Sequence, residues 1–383
     1  MSLIVVRKEQ SKIYIVSDTK LTAPTGHVFN KGQQVSAGET VIKTTIINAL
    51  SCVSFAGNIE FAEIALKSLS PGNSVKAVTD NLLANHLLSD QATEYIYAVV
   101  EDGRPYIFEI KNGLCKEVES SWIGSQPAFS RFQGYMLGEK KKYPKQNFLS
   151  VTNADAGDLL LRLTEAMDGV IEDEDLPEVA GFKIKVYFDG KQFVYEGYLD
   201  TYFPAQQMQF HLTPGAMVPI THANAAQGGY TINFFNSRDN YNYVGLHVKQ
   251  GNFGIVFERK NHGLLYPHLL ENTDELDFLD AVKEKYKIWP SGTTQSATEK
   301  FGNLGKQYFD QKNYSAAIDT YSQGLKHLFS GEKATFYFNI AICQIHLNNI
   351  PSAIENFSEA VKLDPNRQRE ATKIMQSVFS SRK

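Results

Sequence analysis

Three cysteines in 383 residues, Cys52, Cys115 and Cys343, are too few, odd in number and too scattered for a disulfide framework, and they suit a reducing cytoplasm. No strong charge of either sign is present. With 21% charged residues and a formal net charge of −4, the chain has no general basic field for nucleic acid. Its one basic run, Lys140-Lys141-Lys142, lies between Glu139 and Pro144 and reads as a solvated loop. No 18-residue apolar run or secretory leader is visible, because Leu3–Val6 is short and is followed at once by Arg7 and Lys8. The nine histidines form no HExxH motif, and His262 and His268 lie six apart in a stretch that reads as a loop. These absences argue against a nucleic-acid binder, a membrane span and a metal centre, and no organic cofactor is called for.

The chain is long enough for two or three domains. Within 1–198, short β-branched runs at Leu3–Val6, Ile13–Val16, Val41–Ile47 and Ser51–Phe55 read as strands buried on both faces. Asp102-Gly103, Asn112-Gly113 and Asp189-Gly190 read as hairpin turns, since these residues tolerate positive φ. Helices are expected at Ile59–Leu69, Val75–Leu88 and Ala154–Met167, with Asn58, Ser74 and Asn153 as N-caps. By composition and order alone the fold class is α+β. Residues 199–290 read as a β-rich extension, with strands at Gly229–Phe235 and Tyr243–Val248, a hairpin around Gly251-Asn252 leading to a strand at Phe253–Phe257, and a helix over Asp274–Tyr286; no motif assigns it a task. The polar, breaker-rich Pro290–Ser296 reads as a linker.

Residues 297–383 contain an internal repeat at tetratricopeptide positions: Leu304-Gly305, Tyr308, Ala317 and Tyr321, then Tyr337, Ile340-Ala341, Ala353, Phe357, Ala360 and Pro365. Ala353 follows Ala317 by 36 positions, against a period of ~34, which places an insertion at Phe329–Glu332. Glu370–Phe379 reads as a capping helix. Such an array implies a protein partner.

Catalytic chemistry is suggested at the start of the chain. Removal of Met1 would expose Ser2, giving one residue both a hydroxyl nucleophile and an α-amine, whose ordinary pKa near 8 lets it take the hydroxyl's proton. Asp18 follows Ser2 by sixteen positions, and Gly57 follows Lys43 by fourteen. Together with Val16-Ser17-Asp18-Thr19-Lys20, Val53-Ser54-Phe55-Ala56-Gly57 and Gly124-Ser125, the pattern resembles the proteasome β-subunit branch of the N-terminal nucleophile hydrolases. That resemblance implies a four-layer αββα sandwich over 1–198, hydrolysis of peptide or other amide bonds, and assembly into homo-oligomers. It assigns Ser2 as nucleophile, Lys43 as the cation beside it, Asp18 as the carboxylate that orients Lys43, Gly57 as an oxyanion donor and Ser125 as an accessory proton relay. Each also has a structural reading: a turn carboxylate for Asp18, a strand residue for Lys43, a tight turn for Gly57, a turn hydroxyl for Ser125.

Three departures accompany the resemblance. Serine replaces the family's threonine. The family's Asp-x-x-Ser-Gly-Gly is represented by Asp175-Leu176-Pro177-Glu178-Val179-Ala180-Gly181, and Thr25–Val35 adds length between Asp18 and Lys43. An inactive scaffold presenting the repeats, or a small-molecule amidase, fits the same residues.

Overall fold

The computed structural model describes residues 2–20, 40–139, 146–152, 157–173, 175–204, 230–235, 241–248, 253–271, 273–286, 298–326 and 330–380. Contacts divide the chain into two compact units, Met1–Gly292 and Thr293–Lys383. The basic run at 140–142, the added length at 25–35, the linker at 290–296, Asn153, Ala154 and Phe329 lie outside the described residues.

The first unit opens with a hairpin of β1 (Leu3–Glu9) and β2 (Lys12–Ser17), turning through Gln10 at φ 55°. β3 (Thr44–Asn48) and β4 (Ser51–Ala56) form the next hairpin, followed by α1 (Ile59–Lys67) and α2 (Val75–Leu88). Asn58 and Ser74 cap these two helices as expected, their side chains accepting from Glu60 N–H and Ala77 N–H. A meander of β5 (Glu94–Glu101), β6 (Arg104–Lys111) and β7 (Leu114–Glu117) turns at Asp102-Gly103 and Asn112-Gly113, all four at positive φ. Then come β8 (Ser120–Gly124), α3 (Gln126–Met136), β9 (Gln146–Thr152), α4 (Asp158–Ile171), β10 (Ile184–Phe188) and β11 (Phe193–Tyr195). The unit is completed by β12 (Tyr198–Pro204), β13 (Tyr230–Phe235), β14 (Tyr243–Val248), β15 (Phe253–Arg259), β16 (Leu265–Leu270) and α5 (Glu275–Tyr286).

The described strands form three antiparallel sheets, ordered β11-β10-β2-β1-β8, β3-β4-β5-β6-β7 and β16-β15-β14-β13-β12-β9. The period-2 alternation of side chains sorts each strand into two cores. Ile4, Val6, Ile13 and Ile15 face Ile46, Cys52, Ile96 and Ala98 of the second sheet, and Phe234, Leu246 and Phe257 of the third sheet extend the same core. On the opposite face, Leu3, Val5, Tyr14 and Val16 lie under Ala128 and Phe132 of α3 and Leu163 and Met167 of α4. The outer face of the second sheet, with Val53, Phe55 and Tyr97, is covered by Ala62 and Leu66 of α1 and Leu82 of α2. Burial on both faces explains why the first strands read as unbroken apolar runs, each large side chain contributing ~1.5–3 kcal/mol. Tyr195 ties the two sheets at their edge: its hydroxyl donates to Thr44 O (2.9 Å) and accepts from Ile46 N–H (3.3 Å).

Several elements differ from expectation. Val41–Lys43 is not part of the strand: Ile42 forms an isolated bridge with Leu265, Val41 N–H donates to Thr19 O (2.9 Å), Lys43 O accepts from Phe55 N–H (3.0 Å), and β3 begins at Thr44. The helix expected from Ala154 begins at Asp158, where Gly157 at φ 84° lets the chain turn into it. His268 is on a strand, β16, paired with Val256, with Nε2 3.0 Å from Glu258 Oε2; His262 is in the preceding turn at φ 60°. β12 opens at the expected 198/199 boundary and pairs with β9, so the third sheet draws strands from both sides of it.

A buried charge cluster links this sheet to the first. Lys183, just before β10, pairs with Asp168 of α4 (2.8 Å) and Asp200 of β12 (2.6 Å), which holds its ammonium above the ordinary lysine pKa despite burial. Lys185 lies 4.9 Å above the Tyr198 ring; burial and the neighbouring Lys183 charge lower its pKa to about 8, against the pull of Glu196, Asp200 and Asp168.

The second unit is helical. A π-turn at Thr298–Gly302 leads into α6 (Asn303–Asp310), followed by α7 (Tyr314–Gly324), α8 (Ser330–His346), α9 (Ile350–Leu363) and α10 (Gln368–Ser380). Each helix packs on the next, an arrangement compatible with helical repeats. Gly305 lets Tyr321 approach to where a β-carbon would stand 2.5 Å from its ring, and Phe338 meets Phe357 edge-on at 4.9 Å. Ser330–Glu332, expected within an insertion, fall in the first turn of α8.

Two outcomes follow from these packings. Phe357→Ala empties a buried position and costs ~3–5 kcal/mol; hydrogen exchange should show lost amide protection across α8–α10, with β1–β8 as internal reference. The lowered pKa of Lys185 means that between about pH 8 and 10.5 the unfolded chain holds a proton that the folded chain has released, so stability rises with pH there. The rise, ~3 kcal/mol at most, should vanish in Lys185→Met when urea midpoints are compared across that range.

Candidate active site

The ends of five segments meet near Ser2. β1 begins beside it, β2 ends before Asp18, β8 ends at Gly124 and β4 ends before Gly57, while Lys43 precedes β3. Antiparallel pairing brings these ends together: Leu3 pairs with Gly124, and Ser125 N–H donates to Ser2 O at 2.7 Å. Ser2 is 6% exposed.

Asp18 is the centre of the arrangement. One carboxylate oxygen, Oδ1, accepts from the Leu3 N–H, the amide immediately after Ser2, at 3.1 Å. The other, Oδ2, accepts from Lys43 Nζ at 2.8 Å and from Lys20 N–H at 3.2 Å. Asp18 and Lys43 are 0% and 1% exposed. Burial lowers the Lys43 pKa; the charge and hydrogen bond of Asp18 oppose this, and Lys20 adds to it. Removing either partner of such a pair strands a buried charge, at a cost of ~3–5 kcal/mol.

Gly124 and Gly57 carry the steric demands. At Gly124, φ is 104°, and a β-carbon would lie 2.0 Å from Ser2 O and 3.4 Å from Ala56 Cβ. The serine end of the first sheet is thereby pressed against the Ala56-Gly57 end of the second. Gly57 has φ 115°, with a β-carbon position 1.9 Å from Ala92 O, so the turn into α1 demands glycine in any case. Gly124 N–H donates to Glu94 Oε2 (2.9 Å), which fixes the bend before Ser125.

Ser125 is fully buried and serves as the N-cap of α3, its Oγ accepting from Ala128 N–H at 3.2 Å. Its own proton goes to Glu178 Oε1, 2.6 Å away. The loop bearing Glu178 is clamped to the strand end at 18–20: Lys20 Nζ donates to Pro177 O, Lys20 N–H to Ala180 O (3.1 Å) and Phe182 N–H to Thr19 Oγ1 (2.8 Å).

Of the residues singled out from the sequence, Asp18 and Lys43 are thus in direct contact. Ser2 and Ser125 are joined through the main chain, and Gly57 lies one residue beyond the Ala56 that borders Gly124. Sequence reasoning quoted Lys20, Gly124 and Glu178 within motif segments without giving them a role, and it missed Glu94. Glu178 was visible only as a break in the family motif, because a carboxylate there has no counterpart to be matched.

No family model matches the chain. A stretch of 120 residues, 30% of the chain, is 29% identical to the DnaJ homolog subfamily C member 7 homolog of Dictyostelium discoideum, of which it covers 19%. The chain therefore spans about a fifth of that curated relative. The likeness supports a tetratricopeptide-like helical part and lends no support to the N-terminal nucleophile resemblance.

Proposed function

We propose that the first unit is an N-terminal nucleophile hydrolase of the proteasome-like αββα type, cleaving peptide or other amide bonds through Ser2 once Met1 is removed. The observation that carries this reading is the Asp18 carboxylate, which accepts from both the amide next to Ser2 and the Lys43 ammonium. A buried lysine held on a carboxylate one peptide from a serine is what a hydroxyl needs to lose its proton near neutral pH.

In this reading the neutral α-amine of Ser2 takes the Oγ proton as Oγ bonds to the substrate carbonyl carbon. Negative charge moves to the carbonyl oxygen, where Lys43 and the Gly57 N–H stabilise it. Collapse breaks the C–N bond, and the ammonium returns its proton to the leaving amine. Water then attacks the acyl-Ser2 ester, its proton passing to the same amine, which returns it to Oγ as the C–Oγ bond breaks and the acid product leaves. The second unit binds a protein partner through its helical repeats, and the protein acts in the cytoplasm as a homo-oligomer. The reading as an inactive scaffold draws on the low exposure of Ser2.

The test is acylation by a β-lactone followed by peptide mapping. The adduct is expected on Ser2 of chains that have lost Met1, and to be absent in Ser2→Ala of unchanged melting temperature. Lys43→Met should slow acylation by ~10²–10³-fold. An adduct elsewhere, or none on correctly processed chains, leaves the scaffold reading.

A further inference from the structure

The mechanism above gives residues 199–290 no task, yet one of their hairpins reaches the segment that bears Lys43. β3 lies at the edge of the second sheet, so the main-chain groups on its outer side have no strand of that sheet to pair with. Residues 42, 44 and 46 turn those groups outward, while Lys43 O faces inward and accepts from Phe55 N–H at 3.0 Å.

The outward groups are met at both ends by the β15–β16 hairpin. Ile42 N–H donates to the O of Leu265, the first residue of β16, at 3.4 Å. Ile46 O accepts from Nη1 of Arg259, the last residue of β15, at 3.1 Å. The same guanidinium donates through Nε to Gly263 O (3.0 Å) and through Nη2 to His262 O (2.8 Å), so one rigid fork ties the turn of the hairpin to β3. Glu63 of α1 grips that turn as well: it accepts from Leu264 N–H at 2.7 Å, and a β-carbon on Gly263 would collide with its carboxylate. The Tyr195 hydroxyl fills the interval, at Thr44 O and Ile46 N–H. Bonded on both sides, the main chain at Lys43 can neither slide along β4 nor lift away from it. That position decides whether the side chain reaches Asp18 Oδ2 at 2.8 Å.

We infer that Arg259 and Glu63 are positioning residues for Lys43: by fixing the β15–β16 turn against Ile42 and Ile46, they hold the Lys43 ammonium on Asp18 and make the β-rich extension part of the hydrolytic site. This assignment rests on the nucleophile proposed above. It gives 199–290 a role that the family resemblance, confined to 1–198, does not contain. Both residues act through the main chain of 42–46.

The test is a double-mutant cycle on β-lactone acylation of Ser2 in the full chain, with saturation separating the lactone's affinity from the maximal acylation rate. Arg259→Met removes the fork, and Glu63→Ala removes the acceptor of Leu264 N–H; each is measured with Lys43 present and in the Lys43→Met background. With Lys43 present, each should lower the maximal rate by ~10–10²-fold and leave the affinity within about twofold. In Lys43→Met neither should slow acylation further, because no ammonium is left to misplace. A brace of purely structural value would lower the rate by the same factor in both backgrounds. That result, or no slowing with Lys43 present, overturns the inference while the nucleophile stands. Glu63 is half-buried, so Glu63→Ala keeps the cycle available if Arg259→Met does not fold. If Ser2 of the unsubstituted chain is never acylated, the nucleophile falls, and this inference with it.

Discussion

A buried carboxylate with three donors organises the first unit. Asp18 has no access to water, so its charge is tolerable only because Leu3 N–H, Lys20 N–H and Lys43 Nζ together replace its hydration. Each donor belongs to a different piece of chain: the start of β1, the residues after β2 and the approach to β3. Satisfying one side chain therefore requires the two stacked sheets to meet in a single register, and it leaves Ser2 and Lys43 on either side of the same group.

Close approach at Gly124 completes that requirement. Its missing side chain lets Ser2 O and Ala56 pack where a β-carbon would collide, and Glu94 anchors the same turn by accepting the Gly124 N–H. Among the described residues, one cluster of buried charge lies around Asp18 and Lys43 and another around Lys183 with Asp168 and Asp200. Lys183 directly precedes Ile184, which pairs with Ser17, so the two clusters flank the end of β2 on neighbouring strands. One sets the chemistry proposed for Ser2, and the other fastens the third sheet to the first.

Much of the fold was legible because local physics decides it. β1, β2 and β4 could be read from β-branched runs, the caps of α1 and α2 from Asn58 and Ser74, and two hairpins from Asp-Gly and Asn-Gly. α4 was misplaced at its start, since Gly157 enters the helix at a positive φ that no capping side chain announces. β3 was read too long, because Val41 and Ile42 are buried as an apolar bridge without joining the ladder. β16 was missed entirely, as Pro267 and His268 disguise an edge strand in which a missing amide donor costs nothing.

The residues of the candidate site divide along the same line. Ser2, Asp18, Lys43, Gly57 and Ser125 were named by a family resemblance carried on short motifs and intervals, and the helical character of the second unit by its period, since both depend on patterns along one chain. That Asp18 bonds Lys43, that Gly124 carries the close contact with Ser2, and that Glu178 takes the proton of Ser125 were decided only by the tertiary structure. Each of these joins segments more than twenty residues apart, and the geometry that satisfies a buried polar group is a property of the packed sheets and not of any interval in the sequence.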